Sequence, residues 1–236
     1  MAVPIISIFS GGDYMAHVAQ GAAVLRAGGL VVLPTETVYG AAGLLTHPEA
    51  RARLRALRDT DTDHPFTLHL ARPSDAYAYL DPVDEYRDRL IRKLWPGPIG
   101  LIFDVSAERR RAVAAELQLP EGEIYEGSTL TLRCPDHPVA TDVIEEAEGP
   151  VVLTTAGSTT ADNPWHPERA AEELQGKVDL IFDAGATKYS KPSTLLKVLD
   201  GKYEIVRQGV YDERIIERLL RTTILFVCSG NTCRSP

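Results

Sequence analysis

Hydroxyl-bearing residues directly after a buried strand are the first place where this sequence could do chemistry. Thr35-Glu36-Thr37 follows an apolar run of β-forming residues at 30–33, which Pro34 ends. Short hydroxyls at the mouth of a buried strand both donate and accept hydrogen bonds, so they suit a small polar ligand. The alternative interpretation is an ordinary turn in which the two threonines act as local caps.

Two later stretches repeat this combination of apolar strand and polar side chains. Residues 129–133 alternate strictly, so that two leucines face one side and Thr129, Thr131 and Arg133 face the other. Residues 151–153 form a second apolar run, which ends in small polar residues at 154–160. We expect these stretches to line a common cleft, although the alternating strand could instead face solvent.

The elements that must position these residues alternate along the chain between strand and helix patterns. Strands are predicted at 5–9, 30–33, 66–70, 99–105, 129–133, 151–153, 178–182, 193–198 and 203–207. Helices are predicted at 14–27, 48–58, 74–79, 83–94, 108–117, 136–147, from Pro167 onward and at 212–220, and Ser74 is expected to cap the third of them. Asp200-Gly201 indicates a hairpin between the last two of these strands. The pattern predicts an α/β fold with one twisted, mixed sheet wrapped by helices.

Composition excludes several classes of protein. The chain has 236 residues, of which 44% are hydrophobic and 25% charged, and this balance is typical of a globular protein with a sizeable core. A net charge of −8 argues against a generally basic nucleic-acid binder. No apolar run approaches the roughly 20 residues that span a bilayer, so no membrane partner is expected.

Cysteine and histidine usage points to a reducing compartment and to no metal site. Cys134, Cys228 and Cys233 have no zinc-binding spacing, and the N-terminus lacks the pattern of a signal peptide. A cytoplasmic location without disulfides is therefore the simplest expectation. The histidines are scattered without ligand spacing, and Cys134 at a predicted strand end is expected to be a buried structural thiol.

Seven motifs in a fixed order resemble the threonylcarbamoyl-AMP synthases and their YrdC-like and YciO-like relatives. They are Pro34–Gly40, Pro65–Leu70, Trp95–Pro98, Thr129–Pro138, Asp179–Gly185, Ser193-Thr194 and Val206–Gly209. The resemblance covers residues 12–215 and implies a YrdC-like twisted mixed sheet with flanking helices around a concave cavity. The first motif and the Trp-Pro-Gly-Pro turn are its most specific parts.

The resemblance implies a nucleotidyltransferase that condenses L-threonine, bicarbonate and ATP into threonylcarbamoyl-adenylate and pyrophosphate. Its product would serve tRNA threonylcarbamoyladenosine modification, with Mg²⁺ accompanying ATP and with RNA or tRNA-modification proteins as further partners. It implies that threonine is held by Thr35, His69, Arg133 and Ser193. It implies that the nucleotide is approached by Arg58, Thr60, His64, Thr129, Thr154, Thr155, Ala156 and Arg207. Catalysis would consist mainly of positioning and charge stabilisation, so no catalytic residue is assigned.

Three departures from the synthase pattern favour an alternative function. Arg58-Asp59-Thr60 stands where synthases usually carry a lysine-x-arginine pair, and Thr155-Ala156-Gly157 replaces a serine-alanine-asparagine loop. Losing a cation beside a tetra-anionic nucleotide should weaken its binding. Phe66-Thr67-Leu68 is closer to the YciO branch. The alternative is a YciO-like nucleotide- or double-stranded-RNA-binding module without robust synthase activity, fused to a phosphatase domain.

The end of the sequence resembles the phosphate loop of low-molecular-weight protein tyrosine phosphatases. An apolar run at 224–227 precedes a Cys-x5-Arg-Ser pattern built from Cys228, Asn231, Arg234 and Ser235. A loop of this length turns backbone N–H groups around a phosphate, with the arginine pairing two oxygens and the cysteine as nucleophile. Residues 222–236 are therefore expected to be the truncated start of a second, phosphatase-like domain.

Overall fold

A computed structural model of the chain describes residues 3–9, 13–58, 65–155, 171–189 and 191–222. The strands are β1 (Ile5–Ser7), β2 (Val31–Leu33), β3 (Gly40–Leu44), β4 (Leu68–His69), β5 (Ile99–Asp104), β6 (Tyr125–Glu126), β7 (Thr129–Arg133), β8 (Val151–Thr155), β9 (Leu180–Asp183), β10 (Thr194–Val198) and β11 (Tyr203–Arg207). The helices are α1 (Tyr14–Arg26), α2 (Pro48–Ala56), α3 (Glu85–Leu94), α4 (Ala107–Glu116), α5 (Pro138–Glu146) and α6 (Glu213–Leu220). Short 3₁₀ helices occupy Pro73–Ala78 and Glu121–Glu123.

All of these strands belong to one mixed sheet, as the alternating pattern predicted. Their order is β1-β9-β2-β3-β8-β4-β7-β5-β10-β11, with β6 paired to β7 beside this path. The parallel pairs are β1 with β9, β2 with β9, β4 with β7 and β5 with β10, and the other neighbouring strands are antiparallel. The predicted α/β fold with a twisted mixed sheet and flanking helices is confirmed.

Helices cover both faces of the sheet, which is why β2 is apolar at every position. Val31 and Leu33 contribute to one apolar cluster together with residues of α1 and α5, whereas Val32 contributes to a larger cluster on the opposite face. A strand that is buried on both sides needs continuous rather than alternating apolar residues. None of the helices in the described parts of the chain is long and apolar enough to cross a lipid bilayer.

Strand β3, which the sequence analysis did not predict, lies near the middle of the sheet between β2 and β8. Its sequence is Gly-Ala-Ala-Gly-Leu, and such small residues are poor β-formers. Packing explains them, because a Cβ atom on Gly43 would lie 2.8 Å from Leu30 Cδ2 and 2.9 Å from Leu54 Cδ1. Neighbouring leucines fill the space that larger residues of β3 would need.

Several predicted elements are shorter than expected, and one is capped differently. The predicted strands at 5–9 and 66–70 contract to β1 and β4. The predicted helix at 74–79 is the 3₁₀ helix Pro73–Ala78, and Asp75 accepts the Arg72 N–H at its start, so the expected cap by Ser74 was wrong. The predicted helix from Pro167 and the apolar run at 224–227 lie outside the described residues.

The Trp95–Pro98 turn is fixed from both sides, which places the start of β5. The indole Nε1 of Trp95 donates to the carbonyl oxygen of Ile99 at 2.7 Å, and the Gly97 N–H donates to the Cys134 carbonyl oxygen at 2.9 Å. The second of these bonds ties the turn to Cys134, the residue that follows Arg133. The beginning of β5 therefore lies against the end of β7, where the predicted site begins.

Candidate active site

A polar cavity of about 220 Å³ lies where the ends of several central strands meet. We call it the central cavity; its lining consists of Thr35, Val38, Gly40, Thr67, His69, Gly100, Thr131, Arg133, Leu153, Thr154, Thr155, Ser193, Leu195 and Arg207. The hydroxyl-rich ends of β2 and β8 and the guanidinium of β7 thus share one hollow, as the sequence predicted. No acidic residue is part of this lining among the described residues.

Sheet pairing creates the inner end of the central cavity. His69 of β4 lies opposite Arg133 of β7 in a parallel pairing, and Gly100 of β5 lies opposite Arg133 on the other side. A Cβ atom on Gly100 would lie 2.9 Å from Leu195 Cδ1, so the glycine allows this leucine of β10 to pack closely against β5. His69 and Arg133 are only 6% and 7% exposed, so both interact with any ligand in a largely desolvated environment.

His69 is neutral, and its tautomer is defined. Burial, together with the charge of Arg133, lowers the pKa of His69 to about 3 despite the opposing hydrogen bond to Thr67. The ring Nδ1 lies 3.0 Å from the Thr67 carbonyl oxygen, which can only accept, so Nδ1 carries the hydrogen. Nε2 is consequently a hydrogen-bond acceptor at the inner end of the central cavity.

Arg207 and Ser193 form the outer end of the central cavity. The Arg207 Nη2 group donates to the Ser193 carbonyl oxygen at 3.1 Å and to Ser193 Oγ at 3.4 Å. Although Arg207 is exposed as a whole residue, partial desolvation and the nearby charge of Arg133 lower the pKa of its guanidinium. Two guanidiniums, with no carboxylate among the described lining residues, make the cavity suited to anions.

Thr35 lies in the cavity wall, but its hydroxyl forms hydrogen bonds within its own loop. Oγ1 donates to the Val38 carbonyl oxygen at 2.6 Å and accepts from the N–H groups of Thr37 and Val38, each at 3.2 Å. The two threonine hydroxyls are also 2.9 Å apart. The interpretation of Thr35 as a local cap is therefore correct, and ligand binding by this residue, which lines the central cavity, stays a prediction.

The structure places two of the predicted nucleotide-binding residues outside the cavity lining. Thr129 lies at the start of β7, where its hydroxyl donates to the Glu126 carbonyl oxygen at 2.9 Å. The guanidinium carbon of Arg58 lies 4.0 Å from the centre of the Phe66 ring, on which it stacks. Thr60, His64 and Ala156, like the phosphatase-like residues Cys228, Asn231, Arg234 and Ser235, lie outside the described residues.

Several lining residues had no ligand-binding role assigned to them from the sequence. Thr131 was predicted to share the face of Arg133 and to line the cleft, but only Thr129 and Arg133 of this strand were assigned to a ligand, although Thr131 is two residues closer to Arg133. Proximity to the predicted arginine was the signal that could have identified it. Gly40 and Gly100 had no role assigned either, because the sequence does not show that Leu153 Cδ2 and Leu195 Cδ1 lie 2.8 Å and 2.9 Å from where their Cβ atoms would be.

The remaining potentially reactive groups near the cavity are inert or lack metal-binding geometry. Cys134 is completely buried and burial raises the pKa of its thiol to about 12, as expected of a structural cysteine. Within the described ranges, no cluster of three or more His, Cys, Asp or Glu residues is placed to hold a metal ion.

Comparisons with known proteins agree with the fold. A Bacillus subtilis protein named threonylcarbamoyl-AMP synthase is 29% identical over 205 residues, which cover 86% of this chain but 56% of that protein. Escherichia coli YciO, a protein named as uncharacterized, is 28% identical over 196 residues, or 82% of this chain and 89% of YciO. The chain thus spans little more than half of its synthase relative.

A solved structure of P. abyssi Sua5 complexed with L-threonine has a TM-score of 0.76 at 24% identity, covering 93% of this chain and 61% of that one. At this identity the likeness shows a shared fold. The sequence profile of the Sua5/YciO/YrdC family, described as "Telomere recombination", matches residues 23–209. Because this match extends over most of the length of the chain, the chain belongs to the Sua5/YciO/YrdC family.

Proposed function

We propose that the domain is an ATP-dependent threonylcarbamoyl-AMP synthase that uses L-threonine and bicarbonate. The observation that carries the proposal is the pairing of two guanidiniums with a neutral histidine acceptor in one cavity, whose described lining residues include no acidic side chain. Such a set suits an amino acid carboxylate and a nucleotide phosphate at the same time. The P. abyssi Sua5 structure with L-threonine supports the choice of amino acid.

In the proposed reaction, the amine nitrogen of threonine bonds to the carbon of bicarbonate and water leaves. An oxygen of the resulting carbamate then attacks the α-phosphorus of ATP, while the bond from that phosphorus to pyrophosphate breaks. Arg133 would hold the carboxylate of threonine, and His69 Nε2 would accept a hydrogen bond from its amine or hydroxyl. The protein's contribution is positioning and charge stabilisation rather than covalent chemistry.

At the outer end, Arg207 and the hydroxyls of Thr154 and Thr155 would approach the phosphates of ATP. Mg²⁺ would arrive as the magnesium complex of ATP and neutralise phosphate charge, since the lining offers guanidiniums and hydroxyls instead of carboxylates. The product would enter tRNA threonylcarbamoyladenosine modification in the cytoplasm, where RNA or tRNA-modification proteins would be its partners.

The test is release of pyrophosphate from ATP, measured with each substrate omitted in turn. We expect release only when threonine, bicarbonate, magnesium and ATP are all present. Ser193→Ala should raise the KM for threonine, whereas Ser128→Ala, which alters an exposed serine bonded to Asp104, should leave it unchanged. Pyrophosphate release that does not depend on threonine would contradict the proposal.

A second candidate function is a YciO-like module that binds nucleotide or double-stranded RNA without robust synthase activity. The sequence at 58–60 favours it, because a cation that synthases carry there is replaced by Thr60. The 28% identity to E. coli YciO is of the same order as that to the synthases. Filter binding of double-stranded RNA should then show an affinity that falls with salt, and undetectable binding at low salt would remove this candidate.

The variant Thr60→Arg tests the two candidate functions through their binding of ATP. If the loop at 58–64 faces ATP, restoring the cation should increase ATP affinity and threonine-dependent pyrophosphate release. An unchanged affinity would mean that the loop does not face the nucleotide. Asp61→Asn, which removes a negative charge from the same loop, serves as a graded comparison.

For residues 222–236 we retain the proposal of a phosphatase-like segment, which rests on the spacing of Cys228 and Arg234 alone. The family profile ends at residue 209, before this segment. Extending the chain with a complete phosphatase-like domain should give hydrolysis of p-nitrophenyl phosphate that disappears in Cys228→Ser. Hydrolysis that persists in this variant would contradict the assignment.

A further inference from the structure

The side chain of Glu36 is buried behind the wall of the central cavity, and the residue forms hydrogen bonds through both its carboxylate and its backbone carbonyl. Its side chain is 1% exposed and Oε1 accepts from Arg133 Nη2 at 2.8 Å. Oε2 accepts from the N–H of Asp136 at 3.1 Å, directly before α5. The carbonyl oxygen of Glu36 accepts from the Tyr189 N–H at 2.9 Å. Glu36 is absent from the lining, so it acts on a cavity ligand only through Arg133.

A directed chain of hydroxyls provides the second contact of the Arg133 Nη2 group. Thr35 Oγ1 must spend its hydrogen on the Val38 carbonyl oxygen, which cannot donate. The hydrogen between the two threonine hydroxyls therefore belongs to Thr37, which leaves Thr37 Oγ1 an acceptor for Arg133 Nη2 at 2.8 Å. Both N–H groups of Nη2 are consequently used, one by Glu36 and one by Thr37.

The other donors of the Arg133 guanidinium, on Nη1 and Nε, make no hydrogen bond to any described residue. The Nε atom is also buried. Buried donors are rarely left unpaired in folded proteins, because each one costs the full desolvation of the group. Arg133 is thus anchored through Nη2 alone, by Glu36 and Thr37, neither of which lines the central cavity.

We infer that Glu36 is a positioning residue, which together with Thr37 fixes the orientation of Arg133 so that its remaining donors can bind the carboxylate of an amino acid substrate. The identity of that substrate rests on the proposed function, whereas the fixed orientation of Arg133 does not. Without the carboxylate, the guanidinium would be free to rotate about its last side-chain bonds. A guanidinium that is not held in place must be ordered when the carboxylate binds. This loss of conformational entropy weakens binding.

The first experiment observes Arg133 directly in the ligand-free protein. Arginine Nε–H resonances are recorded by ¹⁵N NMR, and the Arg133 signal is assigned by its loss in Arg133→Lys. We expect a dispersed, slowly exchanging signal in the wild type that broadens or collapses toward the free-arginine position in Glu36→Gln. An unchanged Arg133 signal in Glu36→Gln would overturn the inference, whatever reaction the protein catalyses.

The second experiment separates positioning from general stability by steady-state kinetics. Glu36→Gln is expected to raise the KM for threonine by about tenfold to a hundredfold, as for a misplaced binding group, and to leave the KM for ATP within about twofold. Glu145→Gln is the matched control, since it removes a carboxylate from an exposed pair with Arg72. Equal changes in both KM values, or a fall in kcat alone, would contradict a positioning role.

A third variant covers the case in which Glu36→Gln does not fold. Thr37→Val keeps the shape of the side chain but removes the other acceptor of Arg133 Nη2. It should move the NMR signal and the threonine KM in the same directions by smaller amounts. If the wild type shows no threonine dependence, the proposed function fails, while the NMR comparison still decides whether Glu36 and Thr37 orient Arg133.

Discussion

The two ends of the central cavity each hold an arginine, but they hold it in opposite ways. Arg133, at the inner end, is buried and anchored by a buried carboxylate and a threonine hydroxyl. Arg207, at the outer end, is exposed and bonds only to Ser193 among the described residues. A rigid, desolvated cation suits one small ligand of fixed shape, whereas an accessible one suits a larger anion that extends toward solvent.

This contrast predicts a large difference in stability between Arg133→Ala and Arg207→Ala. The first leaves the Glu36 carboxylate buried without its cation, which should lower the free energy of unfolding by about 3–5 kcal/mol. The second alters an exposed residue and should cost about 0.5 kcal/mol. Urea denaturation measures both, and similar losses for the two variants would erase the distinction between the ends.

The outer end nevertheless depends on close backbone packing beside Ser193. A Cβ atom on Gly209 would lie 2.1 Å from the Pro192 carbonyl oxygen and 2.5 Å from the Ser193 carbonyl carbon. Gly209→Ala should therefore displace Ser193 and cost about 1–3 kcal/mol of stability. Gly122→Ala, where no heavy atom lies within 4 Å, is the control and should change little. A stable Gly209→Ala with wild-type threonine binding would contradict this account.

At the inner end, burial of His69 makes stability depend on pH. Since the pKa of His69 is lowered to about 3, the unfolded chain takes up a proton below pH 6.5 that the folded protein refuses. The stabilisation that the folded protein gains from a neutral His69 is fully present above pH 6.5. It is lost as the pH falls toward 3, by up to about 1.4 kcal/mol per pH unit. His69→Gln should show a shallower decline between pH 6 and 4, and parallel pH profiles would refute the neutral histidine.

The smallest expected effect concerns nucleotide binding at the outer end. Arg207→Ala should weaken ATP binding by about threefold to tenfold at low ionic strength, because one exposed cation is lost. Since exposed charges are screened, the difference from the wild type should shrink at high salt. Equilibrium dialysis without threonine measures this, and a loss of affinity that is independent of salt would place Arg207 in a buried contact instead.

The sequence predicted the strands that carry the site, but not how they pair. Residues 129–133 and 193–198 have clear β patterns, and they appear as strands β7 and β10. The contact between His69 and Arg133 arises from pairing of β4 with β7, which are far apart in the chain. Local pattern carries no information about such a partner, so the family resemblance alone brought these two residues together.

The predicted role of Thr35 illustrates a second limit of sequence reasoning. Hydroxyls after a buried strand suggested ligand contact, and Thr35 does line the central cavity. Which of its hydrogen bonds are already made within the loop depends on backbone geometry that a residue pattern does not specify. Glu36, by contrast, looked like one polar residue of a turn, and only its burial against Arg133 distinguishes it.

The placement of β3 has a consequence for how the site opens. Strand β3 is hydrogen-bonded along its length to β2 and β8, so the loop at 34–39 is a tight connection between two central strands. Amide hydrogens in such strands normally exchange with solvent only when the whole domain unfolds. Hydrogen–deuterium exchange should therefore show that the backbone amides of β2, β3 and β8 are among the slowest to exchange in the chain. Small molecules would then enter and leave the central cavity on the side of Arg207.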